Sequence, residues 1–474
     1  MSTDKLDLLL TDAVVVTLDP ERRILDRGHI GVRNGRIALL AGGSAPSKPI
    51  EVTRTLDARG GLVHPGLIDA HAHVAWGLAR CFIPEHFSED EVFWNFDVLM
   101  LNGVSDADEN LGTRLSCAEM AMNGTTCFAD TGSAIRDLAP TAEGVEAVGI
   151  RGMIANLVGD SGGEEIPALD RDPEQCLARL EDGLHRYPAG DGNVWACAGL
   201  CGMELCSDAL VRDAKALADR HGVPLNLHKS FSSAEVDERR TALGGREPLE
   251  GFAELGVLAP NTMLVHLNHC SPAEEELVAA TDSAVVHCPT ATLMYAAGGI
   301  LRGRFPELLA RGATVALGTD ATQWQNAWDL SRSIYLAATV HKETSGVRTA
   351  ITAEAALEMA TLHGARALGR EDELGSLEVG KLADIVVHST ARPEAHPPLD
   401  PIGTLVFSGQ SRTVRTVLVG GRVVVEEGLP TRIDLGSLLA EVNREAKALC
   451  RRIGFTPSSR WPVIVAGAGE KPGG

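Results

Sequence analysis

Histidines and one aspartate stand where predicted β-strands end, and together they have the chemistry of metal ligands. His71 and His73 are separated by one residue, so in an extended chain both imidazoles point to the same face and can converge on one ion. His228 would add a third nitrogen and Asp320 an oxygen, which leaves one coordination position for water. An open position is typical of a catalytic metal site, where the ion lowers the pKa of its bound water to about 7.

Two more histidines end predicted strands. They are His266, in the run VHLNHC, and His287, in the run VVHCPT. A single histidine at a strand end carries little information. Four strand ends with histidine and one with aspartate, all expected on one rim, indicate a shared site.

Short β-type runs alternate with longer helical patterns along most of the chain. The eight predicted strands are 62–70, 125–130, 151–157, 194–200, 223–228, 262–267, 284–288 and 313–319. Eight strands joined by crossover helices fit an α/β fold of the (β/α)8 TIM-like barrel type, in which functional groups lie at the C-terminal ends of the strands. A doubly wound open sheet is the alternative, but no Gly-x-Gly-x-x-Gly motif follows a strand.

Both ends of the chain contain β-type runs that do not fit the barrel. They lie within residues 7–60, at 383–388 and at 415–426, and turn signals such as Asn34-Gly35 separate them. We predict that these strands pair into one small composite β-sandwich domain. The predicted division of the chain is 1–61 for the first part of that domain, 62–374 for the barrel, 375–430 for the second part, and 431–474 for a C-terminal helix and tail.

The composition limits the class of partner. The chain has 474 residues and a net charge of −21, which argues against nucleic acid and anionic membrane surfaces. The sequence has no evident signal peptide, and no run of 18 or more uncharged apolar residues. Its ten cysteines are scattered, which favours a reduced, cytoplasmic protein over a disulfide framework.

Several segments in order resemble the metal-dependent amidohydrolase superfamily. They are GLIDAHAHV, the strand-end His228, VHLNHC, VVHCPT, LGTD and the closing GSLEVGKLADIVV, so the resemblance extends from about residue 7 to about residue 430. The runs RLSCAEMAMNGTTCFAD and HCPT resemble the branch with adenosine-derivative deaminases, guanine deaminase and triazine hydrolases.

The resemblance implies a ligand set and a cofactor. One divalent transition metal ion per chain, zinc before iron or cobalt, would be bound by His71, His73, His228 and Asp320. His266 would polarise the substrate or reach the metal. Two-metal members carry a bridging lysine, typically on strand four, and the predicted strands 151–157 and 194–200 have none. Relatives commonly form dimers or larger assemblies, so a homo-oligomer is expected.

The sequence departs from that branch at the end of the fifth strand. The branch usually has His-x-x-Glu there, whereas this chain has His228-Lys-Ser-Phe231, followed by Glu235. In the deaminases that glutamate carries a proton from the metal water to a ring nitrogen, which a phenyl ring cannot do. Proton transfer would then depend on Asp320, helped by His266 or His287. If the strand-end motif is instead aligned in another register, Glu235 is the carboxylate nearest to the expected place.

This departure favours hydrolysis of a carbonyl C–N bond. We therefore predict a mononuclear metal-dependent hydrolase that cleaves a small apolar or aromatic urea, carbamate, thiocarbamate or amide, and phenylurea and thiocarbamate hydrolases are the members expected to tolerate the change. The alternative is a deaminase or dechlorinase of a purine, pyrimidine or triazine ring. A non-catalytic relative is a third possibility, against which the retained metal set argues.

Aromatic residues cluster near the predicted mouth of the barrel. The expected pocket residues are Phe231, Trp76, Trp94, Trp324 and Trp328. Ordinary loop packing is the alternative for these side chains. Arg80 is predicted to be solvated or ion-paired, and Cys201 and Cys206 to be core or loop residues, because their spacing is not Cys-x-x-Cys.

Overall fold

The structure is a computed structural model that describes residues 5–43, 51–87, 89–92, 96–161, 169, 172–190, 192–202, 205–456 and 461–462. Its strands are β1 Leu6–Val16, β2 Ile24–Arg33, β3 Arg36–Ala41, β4 Val52–Asp57, β5 Leu62–Pro65, β6 Leu67–Ala72, β7 Thr125–Asp130, β8 Arg151–Ile154, β9 Val194–Ala196, β10 Ala198–Gly202, β11 Leu225–Lys229, β12 Thr262–His266, β13 Ala284–His287, β14 Val315–Leu317, β15 Ile385–His388, β16 Val414–Val419, β17 Arg422–Glu426 and β18 Leu429–Pro430.

The α-helices are α1 Glu89–Val92, α2 Val98–Gly103, α3 Asp106–Met122, α4 Ala139–Val148, α5 Pro173–Arg186, α6 Asp208–His221, α7 Ser233–Ala242, α8 Pro248–Glu254, α9 Pro272–Thr281, α10 Pro289–Met294, α11 Gly299–Arg302, α12 Phe305–Ala310, α13 Thr322–Gln325, α14 Leu330–Ser345, α15 Ala353–Met359, α16 Leu362–Ala367, α17 Pro401–Gly403 and α18 Leu435–Ile453. Among these described helices, none combines the length and the apolar character needed to cross a bilayer.

Eight parallel strand positions build the barrel. Strands β6 to β9 form one sheet and β10 to β14 form another, and only Cys197 separates β9 from β10, so the predicted fourth strand bends from one sheet into the other. The backbone N–H groups of Thr319 and Asp320 donate to the His71 carbonyl at 3.1 and 2.9 Å, which joins the last strand to the first. The predicted (β/α)8 barrel is confirmed.

Serine side chains define where several barrel helices begin. In each case the serine hydroxyl accepts a hydrogen bond from a backbone N–H of the first helical turn, as N-cap residues do. The serines are Ser105 before α3, Ser207 before α6, Ser232 before α7 and Ser271 before α9. The caps Ser232 and Ser271 end the loops that follow β11 and β12, and the first of these loops carries Phe231.

Strands from both chain ends pair in one nine-stranded sheet. Its order is β18-β17-β16-β15-β5-β1-β2-β3, with β4 paired to the other half of β1. The two ends meet where β5 pairs antiparallel with β15. The composite β-domain is therefore confirmed, although its described strands form one branched sheet. The strand expected at 62–70 is divided at Gly66, and the first barrel strand begins at Leu67.

The C-terminal helix packs beside the segment that follows β6. Helix α18 begins after Asp434, whose carboxylate accepts from the Ser437 N–H at 2.7 Å, and it lies within the segment 431–474 predicted to hold a C-terminal helix and tail. Just beyond it, the Phe455 ring stacks on Phe82 with centroids 5.2 Å apart. This contact holds the loop after the first histidine pair against the barrel.

A buried pair of histidines joins β5 to β15. His64 Nε2 lies 2.9 Å from His388 Nε2, and His388 Nδ1 lies 2.7 Å from Thr413 Oγ1. Burial lowers the pKa of His64 from 6.5 to about 4, and burial together with the His64 charge holds the pKa of His388 well below its usual value. Both imidazoles are therefore neutral in the folded protein.

We expect the free energy of unfolding to fall as the pH drops from about 6.5 towards about 4. In this window the unfolded chain protonates both histidines while the buried imidazole of His64 stays neutral, so the unfolded state binds more protons. The loss is about 1.4 kcal/mol per pH unit for each such histidine. Urea unfolding of the wild type and of His64→Gln across this window should give a shallower pH dependence for the variant. Equal slopes would contradict the assignment.

Candidate active site

Three histidines and one aspartate converge at the C-terminal rim of the barrel. His71 Nε2 and His73 Nε2 lie 3.4 and 3.7 Å from Asp320 Oδ1, and His228 Nε2 lies 3.3 Å from His73 Nε2. Metal–nitrogen bonds of about 2.0–2.1 Å in a tetrahedral site place donor atoms roughly 3.3 Å apart. The predicted ligand set has that spacing, so these residues fit one divalent ion.

Hydrogen bonds on the far side of the rings orient the donors. His228 Nδ1 donates to the Cys201 carbonyl at 2.7 Å, which leaves Nε2 unprotonated and directed to the cluster. His71 Nδ1 lies 2.9 Å from Thr131 Oγ1, and its buried Nε2 has no hydrogen-bond partner within the described chain. Burial, as the largest cause, lowers the pKa of His71, His73 and His228, so all three are neutral, as metal ligands must be.

Local backbone features bring the ligands close together. Asp320 and His266 have φ values of +70° and +76°, a conformation that costs non-glycine residues about 1–3 kcal/mol and that recurs at functional sites. At Gly318, an added Cβ would lie 2.7 Å from the His71 Cβ, so only glycine allows the last strand to approach the first histidine this closely. The motif LGTD thus needs its glycine as well as its aspartate.

His266 lies at the edge of this cluster. Its Nε2 is 3.9 Å from Asp320 Oδ2, and its ring centroid is 5.3 Å from those of His71 and His228. On its other side, the Phe231 ring is 4.8 Å away. His266 is therefore positioned either to reach a bound metal or to contact a substrate.

His287 points away from the cluster. Its ring stacks on Phe305 at 3.7 Å, and its Nε2 lies 3.2 Å from His341 Nε2 of α14. Its strand neighbours Val286 and Cys288 belong to the apolar interior of the barrel, so alternation turns His287 outwards to the helices. The structure does not bring this predicted catalytic residue to the ligand atoms.

Phe231 faces the site, and Glu235 does not replace the missing acid. Both Glu235 oxygens are occupied: they accept from the Ser230 N–H at 2.9 Å and the Phe231 N–H at 2.7 Å, and Lys229 Nζ lies 3.3 Å away. This carboxylate holds the loop between β11 and α7 in place. The predicted register put Phe231 in the place of the branch's glutamate, and the structure has the phenyl ring there beside His266.

A cavity of about 380 Å³ is lined by Phe231, whose ring on its other side contacts His266. Its lining includes Ile83, Phe87, Phe231, Tyr295, Gln323 and Trp324. The Tyr295 and Trp324 rings meet at 3.7 Å, and Phe231 lies 5.6 Å from Tyr295. Two of the expected pocket residues, Phe231 and Trp324, therefore line it, and its walls suit a planar ring.

The other expected pocket residues do not line this cavity. The Trp76 ring stacks on the His73 ring with centroids 5.1 Å apart, and Trp76 Nε1 donates to the Ser133 carbonyl. Trp76 therefore holds in place the imidazole of His73, one of the expected metal ligands. Trp328 is fully buried in the large apolar core just before α14, and its backbone N–H donates to Glu119 Oε1. Trp94 lies outside the described residues.

Three further expectations concern residues near the site. Arg80 forms an ion pair with Glu119 and is not a pocket residue. Cys201 and Cys206 are free thiols, and neither joins a group of potential metal ligands within the described chain. Cys201 serves the site only through its backbone carbonyl, which orients His228.

Asp97 is a candidate functional residue that the sequence analysis missed. It precedes α2, does not cap that helix, and has an enclosed Oδ1 without a partner in the described part of the chain. Burial, followed by the negative charge of Asp320, raises the pKa of Asp97 to about 8. A signal existed: this is a lone acid in the apolar run FWNFDVLML.

A barrel whose strand ends bring histidines and an aspartate together is the architecture of a metal-dependent hydrolase. The model of the amidohydrolase family matches residues 62–424, and the chain belongs to that family. It is 31% identical over 465 residues to a 5-methylthioadenosine/S-adenosylhomocysteine deaminase of Syntrophobacter fumaroxidans, with 95% of this chain and 100% of the relative covered.

Two solved structures are similar in fold. One is a zinc-bound adenosine deaminase of Xanthomonas campestris, with a TM-score of 0.87 and 24% identity over 94% of this chain and 99% of that chain. The other is an atrazine chlorohydrolase of Arthrobacter aurescens in complex with zinc, with a TM-score of 0.83 and 24% identity over 93% and 100%.

These comparisons confirm the branch that the sequence motifs predict. They also change the balance between the predicted functions. The relative named above is a deaminase of adenosine derivatives, which favours the alternative of ring deamination over cleavage of a urea or carbamate. The expectation of a phenylurea or thiocarbamate substrate receives no support from them.

Proposed function

We propose that the chain is a mononuclear zinc-dependent amidohydrolase that removes ammonia from an aromatic N-heterocycle with an exocyclic amino group, such as an adenosine derivative. The observation that carries this proposal is the 31% identity to an adenosine-derivative deaminase across nearly the whole of both chains. His71, His73, His228 and Asp320 would hold the ion, which is the set whose donor atoms lie 3.3–3.7 Å apart.

The ion, when bound, supplies the Lewis acidity that makes water a nucleophile near neutral pH. Asp320 would accept the proton of the attacking water, and His266, whose Nε2 is 3.9 Å from Asp320 Oδ2, would share that proton or polarise the substrate. The aromatic walls of the cavity would hold the ring plane beside these groups.

Ring deamination also needs an acid to protonate a ring nitrogen, and Phe231 cannot serve. Asp97 is the carboxyl group that we assign to this step. Because burial raises the pKa of Asp97 to about 8, it would carry a proton at neutral pH; its charged form also raises the pKa of Cys201, whose backbone carbonyl orients His228. Asp97 would donate its proton to the ring and regain one as ammonia leaves.

A second candidate is hydrolysis of a carbonyl C–N bond in an aryl or alkyl urea, carbamate or amide. Phe231 favours it, because carbonyl hydrolysis needs no protonated ring nitrogen and a phenyl ring makes the pocket more apolar. In that reaction the base that deprotonates water, Asp320, returns the proton to the departing amine.

A substrate panel separates the two candidates. Purine nucleosides, triazines, phenylureas and thiocarbamates would be incubated with the metal-loaded protein, and both ammonia and released amine would be measured. We expect ammonia from a purine or triazine, and a loss of roughly 10²-fold in that rate for Asp97→Asn. The matched control is Asp213→Asn, at an exposed site on α6 that should leave the rate unchanged.

Other outcomes assign the function differently. Amine release from a urea or carbamate without ammonia from any heterocycle, together with full activity of Asp97→Asn, would establish the second candidate. Absence of turnover across the panel would count against both.

The proposal retains the remaining expectations from the sequence. The partner is a small molecule, with no nucleic acid or membrane, and the protein is a cytoplasmic homo-oligomer. Light scattering during gel filtration would test the assembly.

A further inference from the structure

Gln323 presents a carboxamide in the wall of the cavity that Phe231 lines. It lies in α13, three residues after Asp320, and lines the cavity with Phe231 and Trp324. The side chain is only 3% exposed, and both its Nε2 and its Oε1 are enclosed without a hydrogen-bond partner in the described chain. A buried donor and acceptor left unpaired cost about 1–3 kcal/mol each.

The neighbouring amides are used differently. Gln325 Oε1 accepts from the Ala327 N–H at 2.7 Å, and Asn326 Oδ1 accepts from the Cys81 N–H at 2.8 Å. The side-chain carbonyl oxygens of both residues are therefore already paired with backbone N–H groups. Gln323, in contrast, has a complete unpaired donor–acceptor set beside a cavity, as expected of a group that a ligand satisfies.

We propose that Gln323 determines specificity by pairing with a planar edge of the substrate that offers a hydrogen-bond acceptor and a donor side by side. An amino-substituted N-heterocycle has such an edge, as glutamine recognition of adenine illustrates, and so does an aryl urea or amide. The Tyr295 and Trp324 rings, 3.7 Å apart, and Phe231 would hold that planar group from its faces.

This inference rests on the proposed function and deepens it, since it specifies the chemical class of substrate that the same site binds. It does not depend on which C–N bond is cut. An aliphatic chain or an aromatic hydrocarbon would leave the Gln323 amide unpaired and should bind poorly for that reason.

The test measures binding apart from turnover. Calorimetry would record the affinity of adenine, phenylurea and naphthalene for the intact metal-loaded protein and for Gln323→Met, which keeps the length of the side chain but removes its polar atoms. We expect Gln323→Met to weaken adenine or phenylurea binding roughly 10- to 100-fold, to bind naphthalene at least as tightly as the unaltered protein, and to leave the metal content unchanged. Gln325→Met, on the same helix, is the matched control and should leave all three affinities within about threefold.

Three results would overturn the inference. They are an equal loss for naphthalene, a loss of less than about threefold for both polar probes, and no saturable binding of either polar probe to the unaltered protein. Gln323-dependent binding without any turnover in the substrate panel would support the inference while rejecting the proposed function.

Discussion

His71→Ala is expected to abolish hydrolysis and to reduce bound metal well below one ion per chain. His71 is common to both buried groups of potential ligands, His71 with His228 and His266, and His71 with His73 and Asp320. Removal of an outer partner of a metal ligand typically costs 10- to 100-fold, so loss of this central ligand should lower kcat/KM by more than roughly 10³-fold. Elemental analysis and steady-state kinetics on the same preparations would measure both effects.

The matched control for this experiment is His185→Ala. His185 belongs to a more exposed group with Glu181 and His221, the third set of potential ligands within the described residues. Its replacement should change neither the activity nor the metal content. Two ions per chain in active enzyme would contradict the single-metal assignment, and full activity after verified removal of metal would contradict the metal mechanism.

His266→Ala should lower kcat/KM by roughly 10²-fold or more while the protein stays folded. The reason is its place between Asp320 Oδ2, at 3.9 Å, and the Phe231 ring, at 4.8 Å, where it can act on substrate or on the proton of water. Kinetics together with thermal unfolding would separate a catalytic loss from a loss of stability.

His287→Ala provides the comparison for that variant. His287 packs on Phe305 and His341, so its replacement should affect thermal stability more than kcat/KM. If His266→Ala lowers kcat/KM by less than about threefold, His266 has a packing role and not a catalytic one. If His287→Ala lowers kcat/KM as much as His266→Ala does, or more, His287 belongs to the catalytic residues predicted from the sequence.

The barrel and the metal ligands could be predicted from the sequence because both depend on patterns of neighbouring residues. Alternating strand and helix runs indicate parallel strands, and the geometry of such a barrel gathers their C-terminal ends on one rim. His71, His73, His228 and Asp320 each stand at a predicted strand end, so their convergence follows without knowledge of any long-range contact. The composite β-domain was predictable for a similar reason, since its turns and strands are local signals at both chain ends.

The orientation of individual side chains was decided only by the tertiary structure. Strand alternation turns His287 outwards onto Phe305, whereas the direction of His266 depends on its positive φ value at the strand end, which no sequence pattern indicates. Likewise, Trp328 and Trp324 are four residues apart, yet one is core and the other lines the cavity. Asp97 and Gln323 acquire their properties from burial without a partner, which is a relation among distant segments. A residue's type supplies its chemistry, but its pKa, its direction and its unpaired hydrogen bonds arise from what packs around it.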